Sequence, residues 1–203
     1  MTVTVTERKH DAIGRAAFTL FASDGYERTS VDAIAAEAGV SKRTVYTHYG
    51  DKESLFLSVV TDTYDRMLAR ISEIVDRTVW EPDVASALND CVAEINRSIV
   101  RAPERATLIR LLITEAPHFP ALIDLLHTRS VAPVIAVPLA RLGHQGYLSI
   151  PDPLQAAEHL SALTFDQVGS RSLMGTVPLA ASETRAVLSS GVRVFLRAYA
   201  PSA

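Results

Sequence analysis

Apolar residues recur at a helical period along almost the whole chain. The first stretch with this pattern places five of them at the three- and four-residue spacing of one buried helix face: Ile13, Ala16, Ala17, Leu20 and Phe21. Gly25 suits the end of this helix, because glycine accepts the left-handed backbone of a C-terminal cap. Strand-like alternation occurs only in "TVTVT" at the N-terminus, which we interpret as a disordered tail. The sequence therefore predicts an all-α protein.

Two short helices joined by a tight turn are expected after this first helix. Thr29 is placed to cap the second helix, with Asp32 as the answering residue of a capping box. Gly39 then permits a tight turn, and Ser41 is placed to cap a third, short helix. Two short helices that cross over a turn containing glycine have the dimensions of a helix-turn-helix.

The third predicted helix is rich in cations and hydrogen-bond donors, although 48% of the chain is hydrophobic. Val45 and Tyr49 would face inward, which leaves the other side chains of "SKRTVYTHY" exposed. In a helix-turn-helix, the second helix enters the DNA major groove, and its N-terminal N–H groups suit phosphate. We expect DNA contacts from ten residues in and around this helix: Thr29, Ser30, Ser41, Lys42, Arg43, Thr44, Tyr46, Thr47, His48 and Lys52.

Base-reading and phosphate-holding roles are expected from different members of this set. Lys42 and Arg43 stand on the first turn of the third helix, where they can reach base edges, and arginine pairs most often with guanine. Lys52, Thr29 and Ser30 are placed to hold phosphates. The whole chain has a formal net charge of −3, and acids match bases within residues 1–52. DNA binding therefore requires a local basic patch with the acids turned away from it.

The run from Ala12 to Phe56 carries a resemblance to a known family. This run resembles the DNA-binding domain of the tetracycline-repressor-like (TetR) family over about a quarter of the chain, and the residues that carry the resemblance are "AAFTLFASDGYERTSVDAIAAEAGVSKRTVYTHYGDKESLF", residues 16–56. A weaker similarity to the ligand-binding half of one repressor subgroup lies in "EAPHFPALIDLL" and the closing helices. The resemblance implies a homodimer, a palindromic DNA operator and a small-molecule effector pocket in the C-terminal half. Arg43 departs from the family, which often has glycine or another small residue there, and this suggests a distinct operator preference.

Longer helices are predicted beyond the helix-turn-helix. Asp51 is the expected cap of a fourth helix that runs to about Val79. Further helices are expected after Pro82, from Pro103, over 119–142 with breaks or kinks at Pro133 and Pro138, and over 153–174 and 180–199. We accordingly expect a helix-turn-helix DNA-binding domain over residues 1–52 and a helical effector-binding and dimerisation domain over residues 53–203.

An effector cavity in the C-terminal half is implied by the resemblance and not by the apolar pattern, which ordinary core packing would also produce. Candidate ligand-binding residues are Arg110, Leu112, His127, Phe165 and Asp166. The histidines match no metal-binding spacing, and Cys91 is the only cysteine, so we predict no metal site and no cofactor.

Two glycines interrupt the last predicted helices and suggest a close approach between helices. A glycine inside a helix lowers the stability of that helix, so Gly169 and Gly191 are expected there for a packing reason. The neighbouring apolar residues would then form a two-fold, four-helix dimer interface, or they pack inside one subunit: Leu160, Leu163, Val168, Val187, Val194 and Phe195.

The helix-turn-helix pattern predicts a DNA-binding protein, and the family resemblance implies that it is a ligand-responsive, dimeric transcriptional regulator, specifically a repressor that a small molecule releases from its operator. Two other classes stay open. One is a helical ligand-binding or protein-interaction module without DNA function, and the other is a small helical enzyme, although no nucleophile elbow or glycine-rich phosphate loop is present. The chain shows neither a signal peptide nor a membrane-spanning apolar run, so we expect a cytoplasmic protein without a membrane partner.

Overall fold

A computed structural model of the chain describes residues 5–128 and 130–201, with no strand among them. Helices account for most of the described residues, and a π-helical turn, Asn96–Val100, directly follows the fifth helix. The helices are α1 (Val5–Asp24), α2 (Val31–Glu37), α3 (Lys42–Tyr49), α4 (Lys52–Arg77), α5 (Val84–Ile95), α6 (Pro103–Glu115), α7 (Pro120–Thr128), α8 (Ala132–His144), α9 (Pro153–Leu163), α10 (Phe165–Arg171) and α11 (Ala181–Ala198). The predicted all-α class is confirmed for the described part of the chain.

The chain divides into two compact units that do not follow the sequence in a simple order. The first unit comprises the described residues up to Arg66 together with 107–128, and the second comprises 67–106 and the described residues from Ser130 onward. The chain passes from the first unit into the second within α4, and it passes back from the second unit into the first within α6.

The first unit has an aromatic and aliphatic core. Ile13, Ala17 and Phe21 on α1 are fully buried, which confirms the predicted inner face of this helix. The ring of Phe21 meets that of Phe56 edge-on, with 5.0 Å between the centroids. "TVTVT" is only partly described, because residues 1–4 lie outside the described residues. Val5 and Thr6 belong to α1, so the interpretation of the whole segment as a disordered tail is wrong there.

The second unit packs α8 on α9 and α11 on both α5 and α9. Its core includes Cys91, a free thiol whose pKa is raised by burial. Among the described residues, no group of histidine, cysteine or acidic side chains could hold a metal ion. No helix of the described residues is both long and apolar enough to cross a bilayer.

Gly191 lies at a close approach between α11 and the end of α9 in the second unit. A Cβ atom at this position would lie 2.2 Å from the carbonyl oxygen of Leu163, so only glycine fits. The predicted close approach is therefore present, and it occurs within one subunit. Leu160, Val168 and Phe195 are also buried inside the chain, which makes intrasubunit packing the correct explanation for these three residues.

Several predicted helices are interrupted where the sequence gives weak signals. The helix expected over 119–142, with breaks or kinks at Pro133 and Pro138, is divided near the first of these prolines, because α7 ends at Thr128 and α8 begins at Ala132 with Pro133 in its first turn. Pro138 lies inside α8 and does not end it. The helix expected over 153–174 is also divided. Its break falls at Thr164, whose φ of −120° and ψ of −81° lie outside the helical region.

Candidate nucleic-acid interface

Helix α2 begins at a cap that differs by one residue from the prediction. Ser30 accepts a hydrogen bond from the N–H of Ala33 at 3.1 Å. The hydroxyl of Thr29 instead donates to the carbonyls of Leu20 and Gly25, at 3.1 and 2.8 Å, and its side chain is buried. The predicted Thr29 cap is therefore wrong, and Thr29 also leaves the DNA-contact set because its hydroxyl is buried and already hydrogen-bonded.

Helix α3 begins as predicted at Ser41. The Ser41 hydroxyl accepts the Thr44 N–H at 3.1 Å and lies 2.8 Å from the Thr44 hydroxyl. Gly39 supplies the preceding turn with a φ of +66°, where a side chain would strain the backbone. The first turn of α3 is consequently fixed by neighbouring residues in the sequence, while its N-terminal end stays exposed.

Val45 and Tyr49 hold α3 against the rest of the first unit. Both are buried, as predicted. The hydroxyl of Tyr49 donates to the carbonyl of His10 at 3.2 Å, and its ring stacks on the His10 ring at 4.8 Å. Burial, together with the carboxylates of Asp62 and Asp11, raises the pKa of Tyr49 to about 12. The phenol therefore remains a neutral donor, and α3 is anchored on α1.

The opposite face of α3 carries exposed polar groups. Lys42, Arg43, Tyr46 and Thr47 are exposed, whereas Thr44 and His48 are half-buried. The Thr47 hydroxyl donates to the Arg43 carbonyl at 2.8 Å. Within the described part of the chain, the Arg43 guanidinium makes neither an ion pair nor a hydrogen bond. It is therefore available to an external acceptor.

Lys42 is already paired with an acid on the neighbouring helix. Its Nζ donates to Oδ2 of Asp32 at 2.8 Å, and this hydrogen bond, with the charge of Asp32, raises the pKa of Lys42. The sequence-based condition that the acids lie away from the basic patch does not hold for Asp32. Both side chains are well exposed, so solvent screens the pair, and a phosphate can compete for the ammonium.

Lys52 is held beside α3 by backbone and aromatic contacts. Its Nζ donates to the carbonyl of Glu27 at 3.2 Å and lies 4.3 Å from the ring centroid of Tyr26, a cation–π contact. The preceding Asp51 caps α4, as predicted, through the N–H of Ser54 at 2.7 Å. That hydrogen bond lowers the pKa of Asp51. The local structure thus fixes the position of the Lys52 ammonium.

The first unit also includes residues that sequence reasoning did not assign to it. Oε1 of the buried Glu115 accepts the Tyr26 N–H at 3.2 Å. The ring of Phe119 lies 4.7 Å from that of Tyr26 and 5.1 Å from that of Phe56. The segment that follows α6 therefore supports the same loop on which Lys52 rests. A glutamate among the apolar residues at the end of α6 was the available signal.

Comparisons with known proteins decide the family. A family model described as "Bacterial regulatory proteins, tetR family" matches residues 13–59. A second, described as "AefR-like transcriptional repressor, C-terminal domain", matches residues 86–201, more than half of the chain. The chain belongs to the TetR family of transcriptional regulators. The predicted family is confirmed, and the second match spans the "EAPHFPALIDLL" segment.

Relatives and solved structures agree with membership of the TetR family. The chain is 27% identical to the HTH-type transcriptional repressor AcnR of Corynebacterium efficiens over 85% of this chain and 86% of that protein. A TetR-family regulator from Mesorhizobium loti superposes with a TM-score of 0.89 at 28% identity, covering 97% of this chain and 99% of that one. Two Bacillus subtilis regulators, YuxN and YezE, are 40% and 30% identical, but this chain spans only 23% and 54% of their lengths.

The predicted TetR effector residues fall into both compact units. Arg110 is exposed on α6 and donates to Thr107, and Leu112 is buried in the same unit. Phe165 is buried in the second unit, where Asp166 is exposed. The side chain of His127 lies outside the described residues. These five positions stay a prediction.

Proposed function

We propose that this protein is a TetR-family repressor that binds a palindromic DNA operator as a homodimer and is released by a small-molecule effector. One observation supports the DNA-binding part above all others: the exposed guanidinium of Arg43, which has no partner among the described residues, at the capped N-terminal turn of α3. Such a turn combines exposed backbone N–H groups with a side chain that matches guanine.

We assign different contacts to different parts of this surface. Arg43 and Lys42 read base edges, and Tyr46, Thr47 and the half-buried Thr44 and His48 add contacts within the major groove. The phosphates are held by three residues outside the exposed face of α3: Ser30, Ser41 and Lys52. Ser30 and Ser41 already cap helices, so they contact phosphate through the N-terminal turns that they organise.

Dimerisation sets the geometry of operator binding. Two copies of α3 must lie about 34 Å apart to enter successive major grooves on one face of the DNA. In our proposal residues 1–52 bind DNA, and residues 53–203 bind effector and form the dimer. Helix α4 joins the DNA-binding part to the effector-binding part and transmits the change. The effector shifts operator affinity only by its differential affinity for the two states. A DNA operator also requires the cytoplasmic location that the sequence predicts.

The test is salt-dependent binding to the DNA upstream of the protein's own coding sequence. We expect the logarithm of the binding constant to fall linearly with the logarithm of the salt concentration, as counterion release requires. A variant with Lys42→Ala and Arg43→Ala should lose this binding, whereas Arg141→Ala, which removes an exposed arginine of α8, should retain it.

If neither the upstream region nor a randomised duplex library is bound in a salt-sensitive manner, the DNA-binding proposal is wrong. That result would favour a helical ligand-binding or protein-interaction module instead. Equal binding by both variants would mean that α3 is not the DNA-contacting element.

A further inference from the structure

A groove of about 940 Å³ lies on the second unit between α11 and the segment formed by α5 and its π-helical turn. Five arginines line it, and Asp90 is the only acid among its lining residues. The arginines come from both sides of the groove: Arg97, Arg101, Arg185, Arg193 and Arg197. Alanines, the two leucines Leu188 and Leu196, and polar residues that include Asn89, Thr184 and Ser189 also line the groove. None of the predicted effector residues belongs to this lining.

The charges along the groove are only partly compensated within the protein. Arg97 forms an ion pair with Glu94, and Arg193 donates to the hydroxyl of Ser190 at 3.3 Å. Among the described residues, the guanidiniums of the three other arginines have neither an ion pair nor a hydrogen bond: Arg101, Arg185 and Arg197. Unpaired guanidiniums that face one concave surface attract an anion, because their planar N–H groups match carboxylate and phosphate oxygens.

Asn96 adds a buried polar group to the same lining. Its side chain is 4% exposed, and its amide oxygen has no hydrogen-bond partner among the described residues. Buried polar groups are nearly always hydrogen-bonded, so an unpaired one requires an explanation. A ligand that carries a hydroxyl or amide donor would supply the missing partner.

The π-helical turn explains why these groups share one surface. The N–H of Arg101 donates to the carbonyl of Asn96 at 3.0 Å, a hydrogen bond between residues five apart. This wider turn places Arg101, rather than Val100, on the side of Asn96, while Val100 is buried in the core. Turns of this kind are rare and occur often at functional sites.

We propose that the groove between α5 and α11 binds a hydroxylated organic anion, with a carboxylate or phosphate on the arginines and a donor on Asn96. The unpaired arginines come from segments far apart in the sequence, so the folded second unit is required to assemble the site. The proposal does not depend on DNA binding, since its residues lie outside the α3 surface.

Calorimetry and thermal unfolding of the full chain with a matched ligand series test the proposal. The probes are glycerol 3-phosphate, glycerate and inorganic phosphate, with glycerol as the uncharged member. We expect both organic anions to bind and to raise Tm, phosphate alone to bind more weakly, and glycerol to have no effect. The stronger of the two organic anions identifies the preferred acidic group. If neither glycerol 3-phosphate nor glycerate binds or raises Tm, the proposal is wrong.

Three variants locate the binding site. Arg101→Gln and Arg185→Gln should each weaken anion binding by about tenfold, the effect of losing one good charged contact. Arg141→Gln removes an exposed arginine of α8 and should leave binding unchanged. Equal loss in all three variants would indicate general charge attraction and contradict the site.

Asn96→Leu separates ligand binding from folding. If Asn96 serves a ligand, the free variant should unfold at the same temperature or higher, because a buried amide oxygen that has no hydrogen-bond partner among the described residues is gone, while the probe-induced rise in Tm is reduced. A large drop in the Tm of the free variant would assign Asn96 a structural role instead.

Oligomeric state and affinity for the upstream DNA complete the test. A dimer lost in Arg101→Gln or Arg185→Gln would make the groove a subunit contact, and DNA affinity lost with unchanged probe binding would make it a nucleic-acid surface.

Discussion

The two compact units present cations in contrasting ways. In the first unit, Lys42 and Arg43 stand side by side on the eight-residue helix α3, and Lys42 already has an internal partner in Asp32. In the second unit, the groove collects its arginines from two distant segments, and three of them lack any internal partner among the described residues. A surface on one helix can form wherever that helix is capped and anchored. A groove between distant segments depends on how closely those segments pack.

The largest effect is expected from adding a side chain where α11 contacts the end of α9. Gly191→Ala places a Cβ atom 2.2 Å from the backbone oxygen of Leu163, so α11 must move away from α9. We expect a loss of roughly 3 kcal/mol or more in the free energy of unfolding, at the upper end for overpacking. Urea unfolding followed by circular dichroism measures it.

Gly169→Ala is the matched control, because its Cβ would lie 3.5 Å from the sulfur of Met174, an ordinary contact distance. It should change stability by at most about 1 kcal/mol, the range of a glycine-to-alanine change in a helix. Equal stability of the two variants would show that the separation of α9 and α11 is not fixed.

A smaller loss of stability is expected in the first unit from Glu115→Ala. The change removes the acceptor for the Tyr26 N–H, and we expect a cost of roughly 1–2 kcal/mol because a partly buried donor loses its partner. Glu115→Gln retains an oxygen at the same position and should recover most of this loss. Urea unfolding of both variants tests the pair, and an equally unstable glutamine variant would mean that the carboxylate charge itself is needed.

The contrast between the units also explains how far the sequence could lead. The capped turn at Ser41, the inward Val45 and Tyr49 and the glycine turn are local, so they could be predicted from residue spacing alone. The error at Thr29 was one position in a run of two hydroxyl residues, "TS", where either could cap. Only the packing of α1 decided the choice, because the carbonyls of Leu20 and Gly25 accept the Thr29 hydroxyl.

Long-range features lay beyond this reasoning. The Lys42–Asp32 pair and the place of Glu115 beside Tyr26 arise from packing between different helices. The groove had one weak signal, since Arg97 and Arg101, like Arg193 and Arg197, are four residues apart on one helical side. A helical pattern alone could not show that these two sides would face each other or that a π-helical turn would intervene.

The next prediction separates base reading from charge within the α3 surface. Arg43→Ala should lose roughly 1–3 kcal/mol of discrimination at one operator position, while Lys52→Ala should weaken binding to all sequences alike and reduce the salt slope by about one. Their different surroundings are the reason, since Arg43 is unpaired and exposed and Lys52 rests on Tyr26 and the Glu27 carbonyl. Titrations of wild-type and singly changed operators at several salt concentrations measure both. An equal loss on every sequence for Arg43→Ala would exclude its base-reading role.

The smallest effect is expected from Asp32→Asn. This change removes the acidic partner of Lys42, so that Lys42 lacks an ion-pair partner like three of the arginines in the groove. Without the carboxylate, the pKa of Lys42 should fall toward its ordinary value, because Asp32 acts to raise this pKa. The ammonium remains charged near neutral pH, since the ordinary pKa of lysine lies well above 7. DNA affinity should rise by up to about tenfold, since one repulsive charge is lost and Lys42 no longer has to leave a partner. The gain should be larger at low salt and should disappear in the Lys42→Ala background. Unchanged affinity at every salt concentration would place the Lys42–Asp32 pair outside the DNA-contacting surface.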